Sequence, residues 1–189
     1  MITIDPENVE TIESSFWERI EPGKYTKRPG ATAADIETGA QWYPDKEPMM
    51  RELAEIGDTT IEVVGTVTSA FSIRERWPSN VAKVYDFFNG IEVRGLEYNL
   101  HAANMATVLG FDALNGPKTS AFARALTGDD QAIVVDVWMM RAAGFTKDSP
   151  NKTDYAEISE AIRNVSDKMG LSPRTTQALI WILVRGSGE

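Results

Sequence analysis

Apolar positions recur at helical spacing along most of the chain. In residues 155–169, Ile158, Ile162, Val165 and Met169 fall on one helical face. Leu179, Ile180, Ile182 and Leu183 mark a last helix over residues 174–185, opened by Ser172-Pro173, an N-cap followed by proline at the first helical position. Val81, Val84, Tyr85 and Phe88 form a stripe over residues 80–88, with Pro78-Ser79 before it and Asn89-Gly90 as a C-cap signal after it. Helices are also predicted over residues 47–56, 100–109, 119–126 and 137–143, each closed by a glycine at or just past its end. Residues 59–71 are ambiguous. Thr59, Thr60, Ile61, Val63, Val64, Thr66, Val67 and Thr68 are β-branched, and propensity alone indicates a strand. Length and apolar content suit a buried helix equally well. The helices that follow favour the helical reading.

Residues 1–45 break the pattern. Gly23, Pro29, Gly30, Gly39 and Pro44 punctuate them, with a short helix expected over residues 6–20, where Val9, Ile12, Phe16 and Ile20 share a face. They read as an irregular N-terminal arm, closed by Trp42 and Tyr43, ahead of a domain spanning 46–189. The expected fold class is mostly α, with many short helices.

Composition narrows the chemistry. The 189 residues include 42% hydrophobic positions, enough for a sizeable core. No apolar run reaches the roughly 18 residues that span a bilayer. The first residues are acidic and lack a signal pattern, so the expectation is a cytoplasmic protein without a membrane partner, acting as a monomer. The chain has no cysteine, which removes disulfides, thiolate zinc sites, iron–sulfur clusters and cysteine nucleophiles. The one histidine, His101, has no Gly-x-Ser-x-Gly elbow to serve, and His-rich metal sites are ruled out. Neither a metal nor a cofactor is expected. The net charge of −9 argues against a protein that coats nucleic acid, but it leaves room for a basic face on an acidic body.

The segment richest in chemistry runs from Leu114 to Asp136. Leu114-Asn115-Gly116-Pro117-Lys118 is a tight turn between two helices, and Thr119-Ser120 continues into the second. A helix N-terminus offers free N–H groups and a positive dipole end, which suits a phosphate. Lys118 stands there. The buried run Ile133-Val134-Val135 then leads to Asp136, at an N-cap position eighteen residues past the lysine. Alone, Lys118 reads as a solvated lysine beside a turn and Asp136 as a helix cap.

Together, Gly116-x-Lys118-Thr119-Ser120 and Val135-Asp136 resemble the helix-hairpin-helix DNA glycosylases, endonuclease III above all. The family pattern is Leu-Pro-Gly-x-Gly-x-Lys-Thr-Ala, a helix, an apolar run and Val-Asp. The resemblance is strongest over residues 110–144. It extends to Ala70-Phe71-Ser72, which is similar to the small-residue and serine motif opening the family's DNA-facing helix. Asn115-Gly116-Pro117 departs from the pattern, with one glycine and a proline that lacks an N–H. The family's iron–sulfur cluster has no cysteines here.

The resemblance implies a two-lobed helical bundle with a helix-hairpin-helix motif, and base flipping from double-stranded DNA. The carboxylate at Asp136 would support departure of the base. The amine at Lys118 would attack the sugar and form a Schiff base, which also permits strand cleavage at an abasic site. Such a lysine must be neutral, a state that a helix N-terminus and partial burial both favour. Asn115, Gly116, Thr119, Ser120, Arg74 and Arg124 are the expected DNA contacts, Arg74 as a wedge in the gap the base leaves. Arg141, Arg174 and Arg185 are further candidates for phosphate contact, and Trp77, Trp138 and Trp181 read as core. Two other readings keep the fold: a viral enzyme that modifies DNA bases, and a non-enzymatic DNA-binding helical module.

Overall fold

A computed structural model describes residues 33–186, and their regular structure is entirely helical. In chain order the helices are α1 (Ala33–Gln41), α2 (Glu47–Ile56), α3 (Ile61–Phe71), α4 (Trp77–Phe88), α5 (Glu97–Leu109), α6 (Pro117–Leu126), α7 (Val137–Ala142), α8 (Lys152–Met169) and α9 (Pro173–Arg185). Short 3-10 segments precede α2 (Pro44–Lys46) and follow α5 (Gly110–Ala113). The helix expected over residues 6–20 lies outside the described residues. The chain divides into two compact units: residues 44–129, and residues 33–43 together with 130–186.

In the 44–129 unit, α3 is the centre, and α2, α4, α5 and α6 all pack on it. The β-branched segment is therefore a helix, and its environment explains why. Residues 63–71 are all buried, so tertiary burial outweighs an intrinsic preference of a few tenths of a kcal/mol per residue. Its buried hydroxyls are satisfied without a sheet: Thr66 and Thr68 donate to the carbonyls of Glu62 and Val64, each at 2.8 Å. Thr60 caps the helix, its Oγ1 accepting from the Val63 N–H at 3.3 Å. Gly65 lets α6 come close, because a Cβ there would lie 2.9 Å from the Ala123 carbonyl oxygen. Ala70-Phe71-Ser72 closes α3, and the next helix opens at Trp77. This corrects the expectation that the motif opens a DNA-facing helix. The Ser72 hydroxyl turns back to the Ser69 carbonyl at 2.7 Å, at the C-terminal end of α3.

In the other unit, Ile36, Ile133, Val135, Met139, Met140, Ile158, Ile162, Val165, Leu179 and Ile180 form the core. The predicted stripe of α8 faces inward. A capping box starts that helix, with Asn151 and Asp154 exchanging side-chain-to-backbone bonds of 2.9 and 2.7 Å. The end of the expected irregular arm is helix α1, packed against α9. Gly39 lies inside it, where a Cβ would stand 2.8 Å from the Leu179 Cα. The glycine read as a break is thus a close approach of two helices. Among the described residues the run Ile133-Val134-Val135 has no strand partner. The Tyr155 hydroxyl serves it instead, donating to the Ile133 carbonyl at 2.7 Å and accepting from the Val135 N–H at 3.4 Å. Among the described residues, no helix is long and apolar enough to cross a membrane.

Candidate functional site

The hairpin belongs to the 44–129 unit. The chain leaves α5, passes through Gly110–Ala113, turns at residues 114–116 and enters α6. Gly116 is the extended N-cap and Pro117 the first helical residue, so Lys118 is the second. Asn115, Pro117 and Lys118 are exposed. Lys118 is thus solvated rather than half-buried. Proline has no N–H, and Lys118 and Thr119 carry the next first-turn donors, which have no acceptor within the helix. Thr119 is buried, and its hydroxyl donates to the Gly116 carbonyl at 3.0 Å. Its carbonyl accepts from the Ser69 hydroxyl at 2.8 Å, which pins the first turn of α6 to the end of α3. Ser120 is half-buried, and its N–H donates to the Gly116 carbonyl at 3.0 Å. Of the four expected hairpin contacts, Asn115 therefore presents its side chain outward, Thr119 has its hydroxyl committed to the turn, and the Ser120 N–H is already used.

Arg74 stands in the turn five residues beyond Ser69. It is exposed and holds φ +62°, the left-handed region that side chains other than glycine and asparagine seldom occupy. Such strain is of order 1 kcal/mol or more and concentrates at functional positions. Arg124 is exposed, with its guanidinium 4.5 Å from the Phe111 ring centroid.

Asp136 belongs to the other unit. It N-caps α7, as its position predicts. Oδ1 accepts from the N–H groups of Trp138 and Met139 at 2.9 and 3.0 Å. Oδ2 accepts from the Trp181 indole Nε1–H at 3.0 Å. Trp181 is half-buried and packs against the core, its ring edge-on to Trp42 at 5.8 Å between centroids. The Arg185 guanidinium lies 4.6 Å from the Trp181 ring, and that of Arg141 lies 4.8 Å from Trp138. Two tyrosines feel the carboxylate. Burial first, and the Asp136 charge next, push the Tyr43 phenol far above its ordinary range, against the pull of Arg174. Burial also pushes Tyr155 up to about 12, with Asp136 adding to it and the Val135 hydrogen bond opposing.

Three expectations change. Arg174 is buried, with Nε 3.1 Å from Asp130 Oδ1, so it is no phosphate contact. Trp77 and Trp138, like Trp181, are half-buried. Trp181, which the sequence pattern assigned to the core, and Tyr155, which it did not single out, are the further side chains that hydrogen-bond this segment. The one available signal was chemical: a tryptophan N–H that leaves water usually finds an acceptor. His101 is exposed. Among the described residues, no group of three or more His, Cys, Asp or Glu side chains is placed to hold a metal ion.

No curated protein and no solved structure matches the chain. Residues 24–188 match a family described as a family of unknown function, DUF7178, and the chain belongs to that family.

Proposed function

We propose that the chain is a DNA glycosylase that removes a damaged or modified base from double-stranded DNA. The observation that carries this reading is the segment 114–136. An exposed lysine sits in the first turn of a hairpin helix, and eighteen positions later a hydrogen-bonded carboxylate caps α7, in the order and spacing of the resembling family. The flipped nucleotide loses its base when the C1′–N bond breaks and the electron pair leaves with the base, which takes up a proton. Asp136 stabilises the positive charge left on the sugar. Water, or the neutral Lys118 amine, then bonds to C1′ and gives up a proton. With the amine, the sugar ring opens to a Schiff base. Arg74 and Arg124 hold the duplex through its phosphates.

The solvated position of Lys118 favours a second version of the same reaction. Here the ammonium grips a phosphate beside the hairpin and water is the nucleophile. Borohydride trapping separates the two. Duplexes carrying a single uracil, 5-hydroxymethyluracil, thymine glycol, 8-oxoguanine, 3-methyladenine or abasic site are incubated with the protein at low salt. Base release with a trapped complex, lost in Lys118→Ala, supports the lysine as nucleophile. Base release without trapping supports water. Asp136→Asn lowers release by roughly 100-fold or more in both versions. Neither release nor trapping across the panel rejects the glycosylase reading. A new nucleoside in DNA co-expressed with the protein then points to base modification.

A further inference from the structure

Asp136 receives three hydrogen bonds, two at Oδ1 from backbone N–H groups and one at Oδ2 from Trp181. A carboxylate has roughly four acceptor sites, so about one remains open, and it lies on Oδ2. We propose that Trp181 is a positioning residue for the glycosylase step: its indole N–H turns the Asp136 carboxylate so that this single open site on Oδ2 addresses the sugar. The inference rests on the glycosylase reading of Asp136 and adds a residue 45 positions away that no motif contains.

Three observations distinguish this from simple packing. The indole is half-buried, yet its N–H goes to a charged oxygen rather than to a carbonyl or solvent. Hydrogen bonds to ionised acceptors are roughly twice as strong as neutral ones and fix direction accordingly. The ring is also fixed from outside the pair, by Trp42 edge-on at 5.8 Å and Arg185 at 4.6 Å from its centroid. The two backbone donors alone would hold Oδ1 and leave the carboxylate plane less constrained. The indole supplies the third point that defines it. This is the preorganised kind of support that a transition-state charge requires, since no reorganisation is then left to the moment of reaction.

Trp181→Phe removes the N–H and keeps a ring for Trp42 and Arg185. Two readouts apply. In the 1H–15N spectrum of the wild-type protein, the Trp181 indole resonance, assigned from three-dimensional NOE spectra, should be displaced in Asp136→Asn. In single turnover on the panel duplex that wild type processes, Trp181→Phe should release base about tenfold more slowly, the size of one lost charge-assisted hydrogen bond. Its Kd for an abasic-site duplex should stay within about twofold. Wild-type rates in Trp181→Phe overturn the positioning role while leaving the glycosylase reading intact. An indole resonance indifferent to Asp136 also overturns it, and decides the matter if the variant does not fold. No base release by wild type on any duplex overturns the glycosylase reading, and the positioning role falls with it.

Discussion

Asp136 caps α7, and on the glycosylase reading it has a second job that substitutions can separate from the first. As an N-cap it contributes about 1 kcal/mol, and asparagine caps as well as aspartate does. Asp136→Asn keeps the cap but sets its amide N–H groups against the Trp181 N–H, and should melt between wild type and Asp136→Ala while, on the glycosylase reading, base release collapses. Asp136→Ala also strands the Trp181 N–H and two backbone donors, and should lose roughly 1–3 kcal/mol. Thermal melts of the pair beside release assays check this. Equal melts would mean that the cap is energetically silent. Tyr155→Phe tests the neighbouring run in the same way. It leaves the Ile133 carbonyl and Val135 N–H without the hydroxyl, and roughly 1–3 kcal/mol should go. The sign with pH follows from the raised Tyr155 value. The contribution is present below pH ~10, the unfolded value, and is lost as pH rises towards about 12. The cap at Asp136 was legible because the apolar run, the carboxylate and the helix are contiguous. The Trp181 bond was not, since nothing local joins residues 45 positions apart.

Helix identities were largely readable, and their exceptions have definite physical causes. Stripes in α8 and α9 name their own buried faces, and the stripe in α4 is half-buried around a buried Val84. Residues 59–71 were undecidable from propensity, because a threonine in a buried helix donates back to its own carbonyls as readily as it pairs in a sheet. Helix α1 was missed because Gly39 reads as punctuation, while its reason lies on α9. Gly39→Ala weighs two terms against each other. Alanine gains about 1 kcal/mol of helix propensity over glycine. Its Cβ would meet the Leu179 Cα at 2.8 Å, and overpacking against backbone costs roughly 1–3 kcal/mol. The clash should win, and a higher melting temperature would show that α1 can shift. The start of α8 carries a charge-dependent device. Lys147, 2.5 Å away, and then the Asn151 N–H hold the Asp154 carboxyl below its ordinary value. A lowered carboxylate stabilises the fold above pH ~4 and loses that contribution as pH falls below it. The deficit of Asp154→Asn relative to wild type should be full at neutral pH and shrink towards pH 2 in parallel melts.

For the whole molecule the open matter is charge. The sequence pattern suggests one boundary near residue 45, but the chain crosses between its two units twice, at 43–44 and again at 129–130. The second crossing could not be read because the paired Asp129-Asp130 looks like any loop. Arg174 anchors the C-terminal side of that crossing through Asp130, with a backbone bond of 3.1 Å beside the ion pair. A chain of net charge −9 can hold duplex DNA only through a few well-placed cations. Arg74, Lys118 and Arg124 are exposed and share the 44–129 unit, whereas Arg174 is buried on an aspartate in the other. Salt titration of duplex binding distinguishes these roles. The slope of log K against log salt changes by about 0.9 for each phosphate that is no longer neutralised. Arg74→Ala and Lys118→Ala should each flatten it by about that amount. Arg174→Ala should lower stability yet leave the slope of the folded protein unchanged, since that guanidinium reaches no phosphate. A slope near zero in the wild-type protein, or one that Arg74 and Lys118 leave untouched while Arg174 changes it, would move the nucleic-acid surface off the hairpin and remove double-stranded DNA as its ligand there.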